Sequence, residues 1–232
     1  MNSRSDSLFA LPDVDALLRG ELAGIAAHAA RQPAGRALVL QACAANRAHA
    51  VDTRHLDAVR LYAERDVLRG DVVCAASALP WEDDAFRLVV VQHAADALGA
   101  TDALADELAR VLAPGGVLLW FGLNPWSPWL VWAHWRAHRG LPLPNTVPAD
   151  FARRRLMRRQ LAPVGLDYVG GCWPQNVVPA AVPRTRLLAP LSAAYQLTAS
   201  KQRAVLTPLR PRPARRVAIR PQLATPSRRA CA

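Results

Sequence analysis

The stretch ALPWEDDAFRLVVVQHAADALGATDALADELARVLAPGGVLLWFG, residues 78–122, decides the fold. Within it FRLVVVQHA (86–94) is a near-continuous apolar run rich in valine, TDALADELARVL (101–112) repeats its apolar residues at helical spacing, and APGGVLLWFG (113–122) is a turn leading into a second apolar run. Half-buried strands alternate apolar and polar residues, whereas strands buried on both faces do not. A strand, helix and strand of this kind therefore predict a parallel sheet covered on both sides. Upstream, RALVLQA (36–42), AVRLYAE (58–64) and DVVCAA (71–76) are three more short apolar runs bounded by turn formers, each a candidate buried strand. Residues 13–31 place Val14, Leu17, Leu18, Leu22 and Ile25 at helical spacing behind acids in the first turn, which predicts an amphipathic helix ahead of the sheet.

Downstream, PWSPWLVWAHWRAH (125–138) carries four of the seven tryptophans, and ADFARRRLMRRQLAPVG (149–165) predicts a basic helix. LDYVGGCW (166–173) and SAAYQLTASKQ (192–202) predict two late strands joined by a long Pro-rich connection. Beyond Leu206 the chain is rich in Pro and Arg without periodicity, the composition of a disordered segment. The expected organisation is one domain over residues 8–205 and a basic tail over 206–232.

Composition narrows the function classes. The formal charge is +11, but nine basic residues and no acid lie from Lys201 onward, so the domain itself is close to neutral. Nearly all the positive charge is Arg, Lys201 being the only lysine. Cys43, Cys74, Cys172 and Cys231 are scattered without a CxxC pair or His at ligand spacing, which indicates neither a zinc site nor a disulfide framework. The N-terminus has acids where an export signal has a basic and then an apolar region, so a cytoplasmic protein is expected, and no run is long enough for a transmembrane segment.

Residues 78–122 closely resemble the central part of class I S-adenosylmethionine (SAM) dependent methyltransferases of the small-molecule type, methyltransferase type 11 in particular. The landmarks are an LPW turn, acids leading to Phe86 at the entry to strand four, His93 closing that strand, a helix ending ELARVL, and PGG opening strand five. LNPWSPW (123–129) and AAYQLTASK (193–201) resemble a bacterial subgroup that carries FNPWS after strand five. The resemblance implies a Rossmann-like, doubly wound, mostly parallel seven-stranded sheet, SAM as cofactor and a small-molecule methyl acceptor.

In open parallel sheets ligands bind outside the carboxyl ends of the strands. The resemblance then places the cofactor against Gln41, Ala42 and Cys43 after strand one, Glu64 at the end of strand two, Ser77 and Ala78 after strand three, and Gln92 and His93 at the end of strand four. The Gly-rich turn of that family is replaced here. Its acid falls on Val39 and its three glycines on Gln41, Cys43 and Ala45, although the small side chains of residues 42–45 still allow a close backbone approach. Glu64 is the candidate for the ribose hydroxyls, or else a solvated turn acid. His93 is a candidate general base, because an imidazole pKa near 6.5 suits proton removal at neutral pH; the alternative is a strand-end histidine satisfied by the backbone. Loss of the glycine turn leaves a second functional reading, a catalytically silent methyltransferase-like binding or scaffold domain. The partner expectations are no specific nucleic acid and a weak contact with an anionic surface through Arg153–Arg159 and the tail.

Overall fold

The computed structural model describes residues 7–49, 53, 55–99, 101–174 and 191–202. The expected disordered tail, Cys231 and most of the Pro-rich connection lie outside them. Eight strands form one sheet in the order β4-β3-β2-β1-β5-β6-β8-β7. The strands are β1 (Gly35–Gln41), β2 (Leu56–Glu64), β3 (Val67–Gly70), β4 (Cys74–Ala75), β5 (Phe86–Gln92), β6 (Leu112–Leu123), β7 (Leu161–Val169) and β8 (Ala194–Lys201). The helices are α1 (Pro12–Ala29), α2 (Ala94–Leu98), α3 (Thr101–Val111), α4 (Pro128–Ala137) and α5 (Ala149–Met157).

The parallel centre is β2-β1-β5-β6, with Val39 facing Arg60 on one side and Val90 on the other, and Val90 facing Leu119 beyond. Antiparallel β8 is inserted between β6 and β7. Every residue from Ala37 to Gln41 and from Leu88 to Gln92 is buried, as their unbroken apolar runs require of strands covered on both faces. One face holds Leu38, Leu40, Val89, Val91 and Leu118 against α2, α3 and α5; the other holds Ala37, Val39, Leu88, Val90 and Phe121 against Ile25 and Ala29 of α1.

The sheet departs from the expected seven strands on its β2 side. There β2 turns back at Arg65, whose φ is 55°, directly into antiparallel β3. The expected third strand over 71–76 is reduced to Cys74–Ala75 at the sheet edge. No helix separates β2 from β3, because residues 65–66 leave room only for a tight turn. Between β1 and β2, residues 42–55 hold a short 3-10 turn, Ala44–Ala48, as their one described helical element. The basic helix expected over 149–165 stops at Met157. Gln160, at φ 60°, reverses the chain, and β7 begins at Leu161. Pro163 is tolerated inside this strand because β7 is the sheet edge and its pairing is irregular there, between Pro163 and Gly165.

Candidate functional site

At the carboxyl ends of β1, β5 and β6 the apolar core gives way to a buried polar network. His93 follows β5 with φ 55°, a left-handed backbone that swings the chain into α2. Its Nδ1 lies 2.9 Å from Asp96 Oδ2 and its Nε2 lies 3.0 Å from Glu21 Oε1. Asp96 Oδ2 also accepts the backbone N–H of Leu123 at 2.9 Å, and Gln92 Nε2 donates to Glu21 Oε2 at 3.0 Å and to the Leu18 carbonyl at 3.1 Å. Glu21, Gln92, His93 and Asp96 are all at most 3% exposed.

A lone buried charge is costly, but a cation held between two carboxylates offsets much of that cost. Burial alone would lower the His93 pKa; the Glu21 charge and the hydrogen bonds to Asp96 and Glu21 outweigh it and push the pKa up to about 10. Burial pushes the Asp96 carboxyl upward, with His93 opposing the rise. The arrangement describes a shared proton holding α1, β5, α2 and β6 together. It leaves neither ring nitrogen of His93 free for an acceptor, so in this conformation the imidazole has no general-base role.

Glu21 and Asp96 were not among the residues singled out from the sequence. Glu21 had a signal: it falls in the stripe Val14, Leu18, Glu21, Ile25 that α1 buries, an acid at a core position, while Leu22 is only partly buried. Asp96 had none beyond its place in the first turn of α2.

The residues that replace the glycine turn close on themselves. Cys43 is extended at φ −159°, and Asn46 Oδ1 accepts both the Cys43 N–H at 3.1 Å and the Cys43 thiol at 3.0 Å. Gln41 Nε2 donates to the Asn46 carbonyl at 2.8 Å. None of residues 41–46 has a positive φ, so this turn has no need of glycine. Asn46 Nδ2 in turn donates to the Phe9 carbonyl at 3.0 Å, and the Phe9 ring stacks on His93 with centroids 5.3 Å apart. Residues 8–10, a single 3-10 turn capped by Ser7, thus sit directly over the ends of β1 and β5. An enclosed hollow of about 10 Å³ beside them, between Leu8, Val14, Leu123 and Trp132, has room for about one water.

The other sequence candidates lie on the far side of the same edge. Glu64 is exposed at the end of β2, and Arg69 Nε of the neighbouring β3 contacts its carboxylate at 2.6 Å. Ser77 and Ala78 are exposed after β4. The loop they begin is fastened to α3, since Leu79 donates its N–H to Glu107 at 2.7 Å and Arg110 donates to the carbonyls of Leu79 and Trp81. Among the basic residues of α5 and the turn after it, Arg155 and Arg159 pair with Asp102 and Asp106, whereas Arg153, Arg154 and Arg158 are exposed. Among the described residues no group of His, Cys, Asp and Glu could hold a metal, and no helix is long and apolar enough to cross a membrane.

Residues 33–120, which run from the start of β1 well into β6, match the model of the methyltransferase domain family. The structure is similar to a SAM-dependent methyltransferase of Thermotoga maritima, a possible histamine N-methyltransferase, at 11% identity and a TM-score of 0.52 over 80% of this chain and 91% of that one. It is also similar to a Bacillus halodurans chain assigned as a methyltransferase, at 15% identity and a TM-score of 0.51 over 80% and 99%. The fold is that of a class I methyltransferase. No curated protein matches the sequence.

SAM is the cofactor that this fold carries, and the residues at the edge fit it at its amino-acid end. Gln41 Oε1 and Gln92 Oε1 are buried acceptors that no donor reaches among the described residues, while both amide nitrogens already donate to oxygens, which fixes the amide orientation. Two such oxygens at the ends of neighbouring strands suit an ammonium group. At the adenosine end the fit is limited to the Glu64 carboxylate, which would have to exchange Arg69 for the ribose hydroxyls.

Proposed function

We propose that this chain is a SAM-dependent methyltransferase acting on a small-molecule acceptor, with the cofactor lying across the carboxyl ends of β1, β2 and β5. The observation that carries the reading is the sheet: a parallel β2-β1-β5-β6 centre followed by antiparallel β8 and then β7, in the stretch where the family model matches and beyond it. Gln41 and Gln92 would hold the ammonium of SAM, Ala42 and Cys43 would pass close to its methionine chain, Glu64 would take the ribose hydroxyls, and Ser77 and Ala78 would flank the adenine. Bound SAM supplies a methyl group already activated on a sulfonium, so the protein's main task is to hold an acceptor in line with it and to exclude water. His93 positions the site by locking α1 and α2 to the sheet.

A ligand of this size needs a few hundred cubic ångströms, and Phe9 fills part of that space. Residues 7–11 must therefore withdraw for the cofactor to enter. Because that withdrawal exposes Leu8 and Phe9, it lowers the apparent affinity by the fraction of time the segment is open.

The Phe9 stack and the self-closed 41–46 turn favour a second reading, a catalytically silent domain in which this segment stays shut. Incubation with methyl-labelled SAM and a mixture of small-molecule amines, alcohols and carboxylates tests the choice. Label recovered in a small molecule, and lost on replacing Glu64 by Ala, supports the enzyme; a folded protein that transfers no label to any acceptor supports the silent domain.

A further inference from the structure

The segment from Asn124 to Arg139 has more apolar surface outward than the fold needs. Trp129, Trp132 and Ala133 are buried against Leu8, Val14 and Leu17, which accounts for the inner face of α4. The outer face carries Trp126 at 75% exposure, Val131 at 68% and Trp135 at 48%, with partly buried Pro125, Pro128 and Leu130 between them. Val131 and Trp135 are one helical turn apart, and Trp126 extends the same stripe past the helix start, which Ser127 caps by accepting the Trp129 N–H. An open groove of about 540 Å³ runs along this stripe from Pro125 to His134.

Within the segment itself the charge has one sign, although Asp13 of α1 reaches Arg136 from outside it. No acidic residue occurs from Asn124 to Ala149, while Arg136, Arg139, His134 and His138 follow the tryptophans. Arg139 lies over the Trp135 ring, 3.9 Å from its centroid, and is exposed; Arg136 lies 5.4 Å from the same centroid and is also tied to Asp13. Tryptophan backed by arginine is suited to the boundary between lipid headgroups and acyl chains, where the ring is half in hydrocarbon and the guanidinium meets phosphate.

We propose that the outer face of α4 is a docking surface for an anionic lipid bilayer, with Trp126, Val131 and Trp135 entering the interface and Arg139 contacting headgroup phosphates. The protein then lies on the membrane without crossing it. A second protein or a second copy would be met by the same apolar residues, but neither calls for arginine stacked on the exposed tryptophan of a segment without acids.

The test is co-sedimentation of the full chain with vesicles of phosphatidylcholine alone and of phosphatidylcholine with one third phosphatidylglycerol. The variants are Trp126→Ser/Val131→Ser and Arg139→Glu. Each replaced residue is exposed, and an unchanged circular dichroism spectrum and Tm shows that the fold is kept. The expected result is binding to the anionic vesicles, quenching of tryptophan fluorescence by lipids brominated in the acyl chains, and at least a roughly tenfold weaker partition for each variant. Partition unchanged in both variants would assign any vesicle binding to the basic tail and overturn the proposal. So would absence of binding to either vesicle, or concentration-dependent dimerisation of the parent chain that the Trp126→Ser/Val131→Ser variant abolishes while vesicle binding is unaltered.

Discussion

His93 closes β5 as a buried imidazole with both ring nitrogens taken, Nδ1 by Asp96 and Nε2 by Glu21. The pKa, raised from about 6.5 to about 10, has a thermodynamic consequence. A group with a raised folded-state pKa contributes its stabilisation fully below its unfolded pKa and loses it as pH climbs through the folded value. Stability should therefore fall between about pH 6.5 and 10, and a His93→Gln variant, though less stable at neutral pH, should show a flatter dependence of Tm over that window. A parent Tm constant across the window would contradict the buried imidazolium. Replacement by Ala leaves Glu21 and Asp96 facing one another without a cation and should cost about 3–5 kcal/mol in denaturant unfolding.

Gly122 makes the steric counterpart. A Cβ at this position would lie 2.5 Å from the Tyr195 hydroxyl, which donates to the Val147 carbonyl at 2.9 Å. Gly122→Ala should displace the Tyr195 ring, whose Cζ would lie only 2.6 Å from the new Cβ, and destabilise by about 1–3 kcal/mol, read by chemical denaturation.

At the scale of elements, the parts legible in the sequence were those whose burial is complete. The valine run of β5, the apolar run of β6 and the periodicity of α3 read directly, because a strand covered on both faces and a helix with one apolar stripe leave opposite patterns. The PGG expected to open β6 lies inside it instead, in the irregular stretch between Leu112 and Val117. The shortened third strand did not, since DVVCAA is apolar enough for a strand and only the tight turn at Arg65–Asp66 shows that β3 has already taken its place beside β2. Pro163 misled in the same way. It marks a helix end in sequence, but the chain had already reversed at Gln160 and an edge strand accepts proline. Glu64 was found at the strand end expected of it, whereas its Arg69 partner depends on a hairpin that the sequence pattern does not reveal.

The loop that carries Ser77 and Ala78 owes its position to two residues of α3. Arg110 reaches Leu79, Trp81, Asp83 and Glu107, and Glu107, held below the usual carboxylate range chiefly by its hydrogen bond to Arg110, receives the Leu79 N–H. Arg110→Ala removes every contact that Arg110 makes and leaves Glu107, with its Leu79 hydrogen bond, as an unpaired charge beside the loop. A loss of about 1–3 kcal/mol in denaturant unfolding is expected, with faster amide exchange at Leu79, and no change in either would show that the loop is fixed by other means.

For the whole molecule, the parallel centre and the strand order assign the fold, and the ends of β1 and β5 decide its use. There the oxygens Gln41 Oε1 and Gln92 Oε1 have no donor among the described residues while Phe9 stacks on His93 beside them, so on the proposed methyltransferase reading SAM enters only when residues 7–11 open. Isothermal titration calorimetry of the folded, ligand-free protein with SAM and with S-adenosylhomocysteine is the direct test. Saturable binding of both in the micromolar range, weakened by Gln92→Leu or Glu64→Ala, is the predicted result; no heat from either ligand would contradict a cofactor site at this edge and leave the chain as a silent member of its fold.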